Sequence, residues 1–172
     1  MEGGEQGKKA RAFDVGSGIG RISKDLLFDY FEEVDLLDQS PVQIEEARRN
    51  VPNGSRFYTG GFQDFEFEEG RAYDVIWLQW FLMYLKDDDL VEMLRRCGDK
   101  AEYLVVKENT FDLITSLEDQ KVDHDDNSVV RTIEEFKQCF ERADLEILAE
   151  EMQPDWPKEL FPVAMFLLKK RE

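Results

Sequence analysis

A glycine-rich segment near the start of the chain has the residue types of a ligand-binding loop. The short apolar run Arg11–Val15 predicts a buried strand, and the loop Asp14-Val15-Gly16-Ser17-Gly18-Ile19-Gly20 ends it. Glycines carry no side chain, so backbone N–H groups there can approach a ligand closely. Because many nucleotide-binding folds share this motif, it predicts a nucleotide-type ligand and nothing narrower.

A second acidic residue stands where a ribose would be held. Asp38 ends the next predicted strand, 18 residues after Gly20. A carboxylate at this point can accept hydrogen bonds from both hydroxyl groups of a ribose. The alternative is an ordinary surface acid at a strand end, and the pairing with the glycine loop favours the ligand role.

The loop after the third predicted strand, Gly61–Phe65, follows at the position expected for an adenine contact. Phe62 would supply an apolar wall and Gln63 a polar contact. Taken alone, the segment is better explained by ordinary loop packing. NAD is the rival ligand, but the chain has only one mononucleotide-binding half before its pattern changes.

Alternating strands and helices must position these residues. The pattern predicts an α/β fold with a mostly parallel seven-stranded sheet, helices on both faces and an antiparallel edge strand. Residues 1–11 are predicted to be disordered or not native to the protein, and residues 12–172 to form one domain. Strands are predicted at Arg11–Val15, Glu33–Asp38, Arg56–Thr59, Tyr73–Leu78, Glu102–Lys107, Leu145–Glu150 and Val163–Leu168; helices at Ile19–Tyr30, Pro41–Asn50, Asp87–Arg96 and Val129–Ala143.

Composition narrows the classes of partner. The formal net charge of −17 disfavours nucleic acid, whose binding needs Lys and Arg, and favours basic partners. The cysteines Cys97 and Cys139 lie in predicted helices and are expected to be reduced thiols of an intracellular protein. With one histidine, His124, no zinc site or other metal site is expected. No apolar run is long enough to predict a membrane span.

Four segments together resemble the α-N-terminal protein methyltransferases. They are Phe13–Ser23, Gly61–Phe65, Tyr73–Trp80 and Leu94–Cys97, and the resemblance continues from Ala12 to the C-terminus. It implies a Rossmann-like class I methyltransferase fold and S-adenosylmethionine as the cofactor. The implied substrate is the α-amine of proteins that begin X-Pro-Lys, and the implied location is the nucleus and cytoplasm.

The resemblance also assigns roles to individual residues. The implied cofactor contacts are Gly16, Gly18, Arg21, Asp38, Phe62, Gln63 and Gln79. The implied substrate contacts are Trp80, Tyr84, Asp123, Ser128 and Phe161. Asn109 would hold the substrate's N-terminal segment, and Asp126 would accept the proton that the amine must lose before it attacks a methyl group.

Three features depart from the family pattern. Tyr84 stands where the family has a histidine, and Phe161 stands where it has a tyrosine. The family's long N-terminal helical segment has no counterpart in the roughly ten residues before the first strand. We therefore expect an apolar face that self-association could cover. These departures leave two alternatives open: a catalytically weak partner subunit and a small-molecule methyltransferase.

Overall fold

The computed structural model describes residues 9–52, 55–111 and 128–172. Contacts divide the chain into two compact units, Met1–Val75 and Ile76–Glu172, and the boundary falls within one strand. The strands are β1 (Lys9–Val15), β2 (Phe31–Asp38), β3 (Phe57–Thr59), β4 (Tyr73–Gln79), β5 (Ala101–Phe111), β6 (Arg131–Thr132), β7 (Leu145–Met152) and β8 (Val163–Lys170). The α-helices are α1 (Phe28–Tyr30), α2 (Pro41–Asn50), α3 (Asp87–Gly98) and α4 (Ile133–Arg142).

In the first unit the strand order is β3-β2-β1-β4. β1 and β2 are parallel with Val15 opposite Leu37, and β3 is parallel to β2. This arrangement brings the carboxyl ends of β1 and β2 to one edge of the sheet, as expected for loops that bind a ligand. β1 begins at Lys9, so residues 9–11, which were predicted to lie outside the domain, form part of the sheet.

Aromatic side chains fill the core of the first unit. Phe13 of β1 is fully buried, and its ring stacks on Tyr73 with centroids 5.0 Å apart. Phe65 and Phe67 also pack against the Phe13 ring, with centroid distances of 5.3 and 5.9 Å. These rings come from the strand before the glycine loop and from the segment after β3. The packing therefore ties together two of the predicted ligand-contacting segments.

Helical structure after the glycine loop begins at residue 21 and includes a π-helical turn, Ser23–Leu27, before α1. A π-turn of this kind inside a helix is commonly found at functional sites. α2 has the bounds that the sequence predicts. Ser40 caps it by accepting a hydrogen bond from the Gln43 N–H, and proline occupies its first position.

In the second unit the strand order is β4-β5-β8-β7. β8 is antiparallel to β5 and to β7, so the predicted terminal hairpin is confirmed, with β7 at the edge and the reversed strand beside it. β6 pairs in parallel with the end of β5. Phe136 and Phe140 of α4 pack against Phe166 of β8 and form the core of this unit.

Two predicted bounds in the second unit are wrong by four residues. The last helix begins at Ile133 and not at Val129, because Thr132 caps it in a reciprocal arrangement with Glu135. β5 continues past Lys107 to Phe111, which places Glu108 and Asn109 within a strand. No helix among the described residues is long and apolar enough to cross a membrane.

Candidate active site

The glycine loop has a backbone conformation that requires its glycines. Gly16, Gly18 and Gly20 have φ angles of 73°, 56° and 77°, in the left-handed region that side chains disfavour. A Cβ atom on Gly20 would lie 2.8 Å from Val51 Cγ1 and 3.2 Å from Leu36 Cδ2. The sequence therefore needs glycine at position 20 both for its backbone angle and for the close packing of loop, strand and helix.

Asp38 connects this loop to the helix that follows it. Its Oδ2 accepts the Gly18 N–H at 2.9 Å, and its Oδ1 accepts the Ser40 N–H at 2.8 Å. The carboxylate is half-buried at the end of β2. A carboxylate has about four acceptor positions, so these two bonds leave capacity for the hydroxyl groups of a ligand.

Two polar groups of the loop were not singled out from the sequence. Asp14 is buried and accepts the Ser23 hydroxyl at 2.7 Å; burial raises its pKa to about 6, against the hydrogen bonds from Ser23. The Ser17 hydroxyl oxygen is buried and has no hydrogen-bond partner among the described residues. An acid at the end of an apolar strand was a signal for Asp14, whereas only the folded loop reveals the Ser17 hydroxyl.

The other predicted cofactor contacts of the first unit differ in how far their side chains are exposed to solvent. Phe62 is buried, and its ring lies 5.9 Å from Phe67 and 6.2 Å from Phe65. Gln63 is exposed, in the short helical turn Phe62–Asp64. Arg21 is exposed, and its charge lowers the pKa of Asp14 as one of the smaller contributions. Gln63 and Arg21 therefore present polar groups to solvent, whereas the Phe62 ring belongs to the aromatic core.

In the second unit, Gln79 ends β4 and Trp80 follows it. Gln79 is buried, and its Oε1 accepts the Trp77 indole N–H at 3.0 Å. Trp80 has a φ of 57° and is 36% exposed. The ring centroid of Trp80 lies 6.2 Å from that of Trp156. Lys107 Nζ lies 6.0 Å from the Trp80 centroid. An aromatic surface of this kind suits an apolar or cationic ligand group.

Tyr84 lies in the short helical turn Leu82–Tyr84 that follows, and it is 55% exposed. Asn109 is half-buried in β5, opposite Val163 of β8. Ser128 is buried, and Phe161 is half-buried with its carbonyl accepting the Trp156 indole N–H at 2.9 Å. The predicted residues Asp123 and Asp126 lie outside the described residues.

Glu108 is a functional candidate that the sequence analysis missed. It is 1% exposed; its Oε2 accepts the Leu82 N–H at 2.9 Å and its Oε1 accepts the Asn109 N–H at 3.2 Å. Burial raises its pKa to about 7, opposed by hydrogen bonds from backbone N–H groups including those of Phe81 and Met83. Its alternation with Leu104 and Val106 along β5 was the signal that could have placed it on the buried face.

The described residues contain no cluster of three or more histidine, cysteine, aspartate or glutamate side chains arranged to hold a metal ion. The first unit offers a polar loop with an unpartnered hydroxyl and a ribose-type carboxylate. The second unit offers an aromatic surface beside a buried carboxyl group.

Residues 2–169 match the family described as AdoMet-dependent proline di-methyltransferase. An alpha N-terminal protein methyltransferase 1 from Dictyostelium discoideum is 37% identical over 168 residues, which are 93% of this chain and 60% of that protein. An N-terminal Xaa-Pro-Lys N-methyltransferase 1 from Danio rerio is 39% identical over 165 residues, which are 92% of this chain and 71% of that protein. The chain thus spans about 60% of the D. discoideum protein's length.

Solved structures show the same fold. A SAM-dependent methyltransferase from Leishmania major is 32% identical, with a TM-score of 0.84 over 95% of this chain and 65% of that one. A methyltransferase from Methanosarcina mazei, at 14% identity and a TM-score of 0.77, shows the fold alone. The predicted Rossmann-like class I methyltransferase fold is confirmed. From the family match and these relatives, the chain belongs to the AdoMet-dependent proline di-methyltransferase family.

Proposed function

We propose that this chain transfers a methyl group from S-adenosylmethionine to the α-amine of protein N-termini of the X-Pro-Lys type. One observation carries the proposal: the left-handed glycine loop is hydrogen-bonded through the Gly18 N–H to the Asp38 carboxylate. This pairing is typical of a site for a ribose-containing ligand. The names of the relatives from Dictyostelium discoideum and Danio rerio supply the acceptor.

The residues of the first unit fit such a cofactor. The half-buried Asp38 carboxylate has free acceptor capacity for ribose hydroxyls, and the buried Ser17 hydroxyl lacks a partner within the described part of the chain. Bound S-adenosylmethionine supplies a methyl group on a positively charged sulfur. In our proposal Gly16 and Arg21 hold its methionine portion, Phe62 and Gln63 hold its adenine, and Gln79 is a further contact.

The acceptor must be held and must lose a proton. An α-amine has a pKa near ~8, so much of it is protonated at neutral pH. Tyr84 is a poor base, since a tyrosine hydroxyl has a pKa near ~10. We therefore propose Asp126 as the proton acceptor, with Asp123 and Ser128 contacting the basic peptide. Trp80, Asn109 and Phe161 are proposed to orient it, because methyl transfer gains rate from holding two reactants close.

A transfer assay tests the proposal. The 172-residue chain is incubated with labelled S-adenosylmethionine and either a Ser-Pro-Lys peptide or the same peptide acetylated at its N-terminus. We expect label on the free peptide alone. Label on both peptides would contradict the assignment of the α-amine, and tight cofactor binding without transfer to either would favour the partner-subunit alternative.

The cofactor side is tested by calorimetry with a matched pair of variants. Asp38→Ala is expected to weaken S-adenosylmethionine binding at least tenfold, because it removes the proposed ribose acceptor. Asp29→Ala, which removes an exposed carboxylate of the same unit, is expected to leave the affinity unchanged. Equal affinities for the two variants would remove Asp38 from the cofactor site.

Two further proposals concern assembly and location. Ile19 and Val42, the latter 78% exposed, line a groove of about 470 Å³ with Pro41, and this apolar surface supports self-association of the chain. A strictly monomeric species in sedimentation at all concentrations would contradict it.

Free, buried Cys97 and Cys139 support a reducing compartment, the nucleus and cytoplasm, which imaging of a fluorescent fusion would test.

A further inference from the structure

The backbone of Trp80 adopts a conformation that its residue type disfavours. Its φ of 57° lies in the left-handed region, where bulky side chains are rare. Strained residues of this kind persist only where surrounding contacts hold them, and they concentrate at ligand contacts and active sites. The contacts that hold the segment Trp80–Leu85, here called the substrate turn, therefore indicate which residues set the direction of the Trp80 ring.

The N–H groups of the substrate turn converge on β5. The Trp80 N–H donates to the Lys107 carbonyl at 3.2 Å, and the Leu82 N–H donates to Glu108 Oε2 at 2.9 Å. The Phe81 and Met83 N–H groups on either side also lower the pKa of Glu108, as smaller contributions. One buried carboxyl group thus accepts the Leu82 N–H in the middle of the turn that follows the strained residue.

The carbonyl groups of the substrate turn are held from the other side. Arg131 of β6 donates to the Leu82 carbonyl at 3.0 Å and also to the Leu85 carbonyl, and Asp87 pairs with the same guanidinium. The Val129 N–H donates to the Met83 carbonyl at 2.9 Å. The turn is therefore fixed by an acceptor at its N–H groups and by donors at its carbonyl groups.

We propose that Glu108 is a positioning residue for the peptide substrate: its carboxylate holds the substrate turn so that Trp80 and Tyr84 face the acceptor peptide. The inference rests on the proposed function, because it takes these two side chains as peptide contacts. Glu108 acts through the backbone of the turn and touches neither reactant. Asn109, the next residue of β5, donates its N–H to the other carboxylate oxygen, so the same group also fixes a proposed substrate contact.

The burial of Glu108 is difficult to explain by stability alone. Placing a carboxyl group at 1% exposure is unfavourable, and burial raises its pKa to about 7. The groups that oppose this burial are main-chain N–H groups, and those of Leu82 and Asn109 donate directly to the carboxylate. A leucine would fill the same buried place on β5 but would leave those N–H groups without an acceptor, so the carboxylate serves the geometry of the turn.

The test compares Glu108→Gln and Glu108→Asp with Glu102→Gln, which makes the same chemical change at an exposed position of the same strand. Steady-state kinetics with a Ser-Pro-Lys peptide and calorimetry with S-adenosylmethionine are measured for each. We expect Glu108→Gln to raise the peptide KM and lower kcat, with kcat/KM at least tenfold below that of the unaltered chain. Its cofactor affinity should stay within twofold. Glu108→Asp, which keeps both acceptor oxygens, should lose less, and Glu102→Gln should lose nothing.

Peptide kinetics unchanged in Glu108→Gln would overturn the inference. So would cofactor affinity and peptide kcat/KM that fall together, because Glu108 would then serve folding in general. If Glu108→Gln does not fold, Glu108→Asp decides: a selective rise in peptide KM supports the inference, and kinetics equal to those of the unaltered chain overturn it. Absence of transfer by the unaltered chain would instead refute the proposed function, and it would be seen before any variant is compared.

Discussion

The two units each bury an acidic side chain, and they do so in opposite ways. In the first unit Asp35 is fully buried and paired with Arg71, whose Nε lies 2.6 Å from Oδ2. Tyr73 donates its hydroxyl to the same oxygen at 2.9 Å. In the second unit Glu108 accepts main-chain N–H groups, that of Leu82 in the substrate turn and that of Asn109 in β5. Asp35 is thus paired with a cationic side chain, whereas Glu108 is hydrogen-bonded by main-chain N–H groups.

The units also differ in how they reach left-handed backbone angles. The glycine loop of the first unit has Gly16, Gly18 and Gly20 at these positions, and for glycine such angles carry no steric cost. The second unit places Trp80 at a similar angle, where strain must be offset by neighbouring contacts. The glycine loop can therefore adopt its backbone angles because of its own residue types. The substrate turn instead depends on contacts from Glu108 and Arg131 to keep its conformation.

The largest expected effect comes from breaking the charged pair of the first unit. Arg71→Ala leaves Asp35 buried without its cation, so we expect the free energy of unfolding to fall by ~3–5 kcal/mol in urea denaturation. Arg49→Ala is the control, because it removes an exposed pair with Glu45 and Glu46 and should cost ~0.5 kcal/mol or less. Equal losses in the two variants would contradict the structural role of the Asp35 pair.

The pH dependence of stability tests the burial of Glu108. Burial raises the pKa of Glu108 from 4.5 to about 7, so the folded state keeps a proton that the unfolded state releases. Stability is then full below pH ~4.5 and falls as pH rises through ~7, by ~3 kcal/mol in all. Asp14, with a pKa raised to about 6, adds a fall of the same sign at lower pH.

Urea denaturation at pH 5 and pH 8 measures this fall. Glu108→Gln should reduce it by ~2–3 kcal/mol, while Glu102→Gln should leave it as it is. Arg131, Asp87 and Lys107 are charged groups near the same turn, and all three remain in the two variants. A fall of the same size in Glu108→Gln and in the unaltered chain would show that Glu108 does not titrate in this range.

The smallest effect concerns the glycines. Gly20→Ala and Gly70→Ala both place a Cβ at a positive φ, 77° and 73°, which costs ~1–2 kcal/mol for each. The Gly20 Cβ would also lie 2.8 Å from Val51 Cγ1, whereas no atom lies within 4 Å at Gly70. Gly20→Ala should therefore lose ~1–3 kcal/mol more in urea denaturation. Equal losses would mean that the loop packs less tightly against α2 than described.

Local signals predicted much of the fold. Ser40 and Pro41 mark the start of α2 through capping and a fixed φ angle, and the helix begins there. The Thr132–Glu135 capping box was an equally local signal, but the apolar residues Val129 and Val130 before it concealed the helix start. The predicted end of β5 at Lys107 is too early, because the polar residues that follow Lys107 are typical of a loop.

The candidate site could be predicted only in part, for a physical reason. Glycines and the strand-end acid Asp38 act through their own residue type and chain position, so a single segment reveals them. Glu108 acts through the N–H groups of a segment more than twenty residues away, and the strained Trp80 stands immediately before the residues that it holds. Such roles depend on which strands become neighbours, and this is determined only when the sheet forms.

The most direct test of the account is to locate the methyl group on the product peptide. The 172-residue chain is incubated with S-adenosylmethionine and a Ser-Pro-Lys peptide, and the product is fragmented in a mass spectrometer. We expect added methyl mass in the fragment that carries the N-terminal α-amine, with the Lys side chain unmodified. Methyl groups on the Lys side chain, or a peptide that gains none while the chain binds the cofactor, would contradict it.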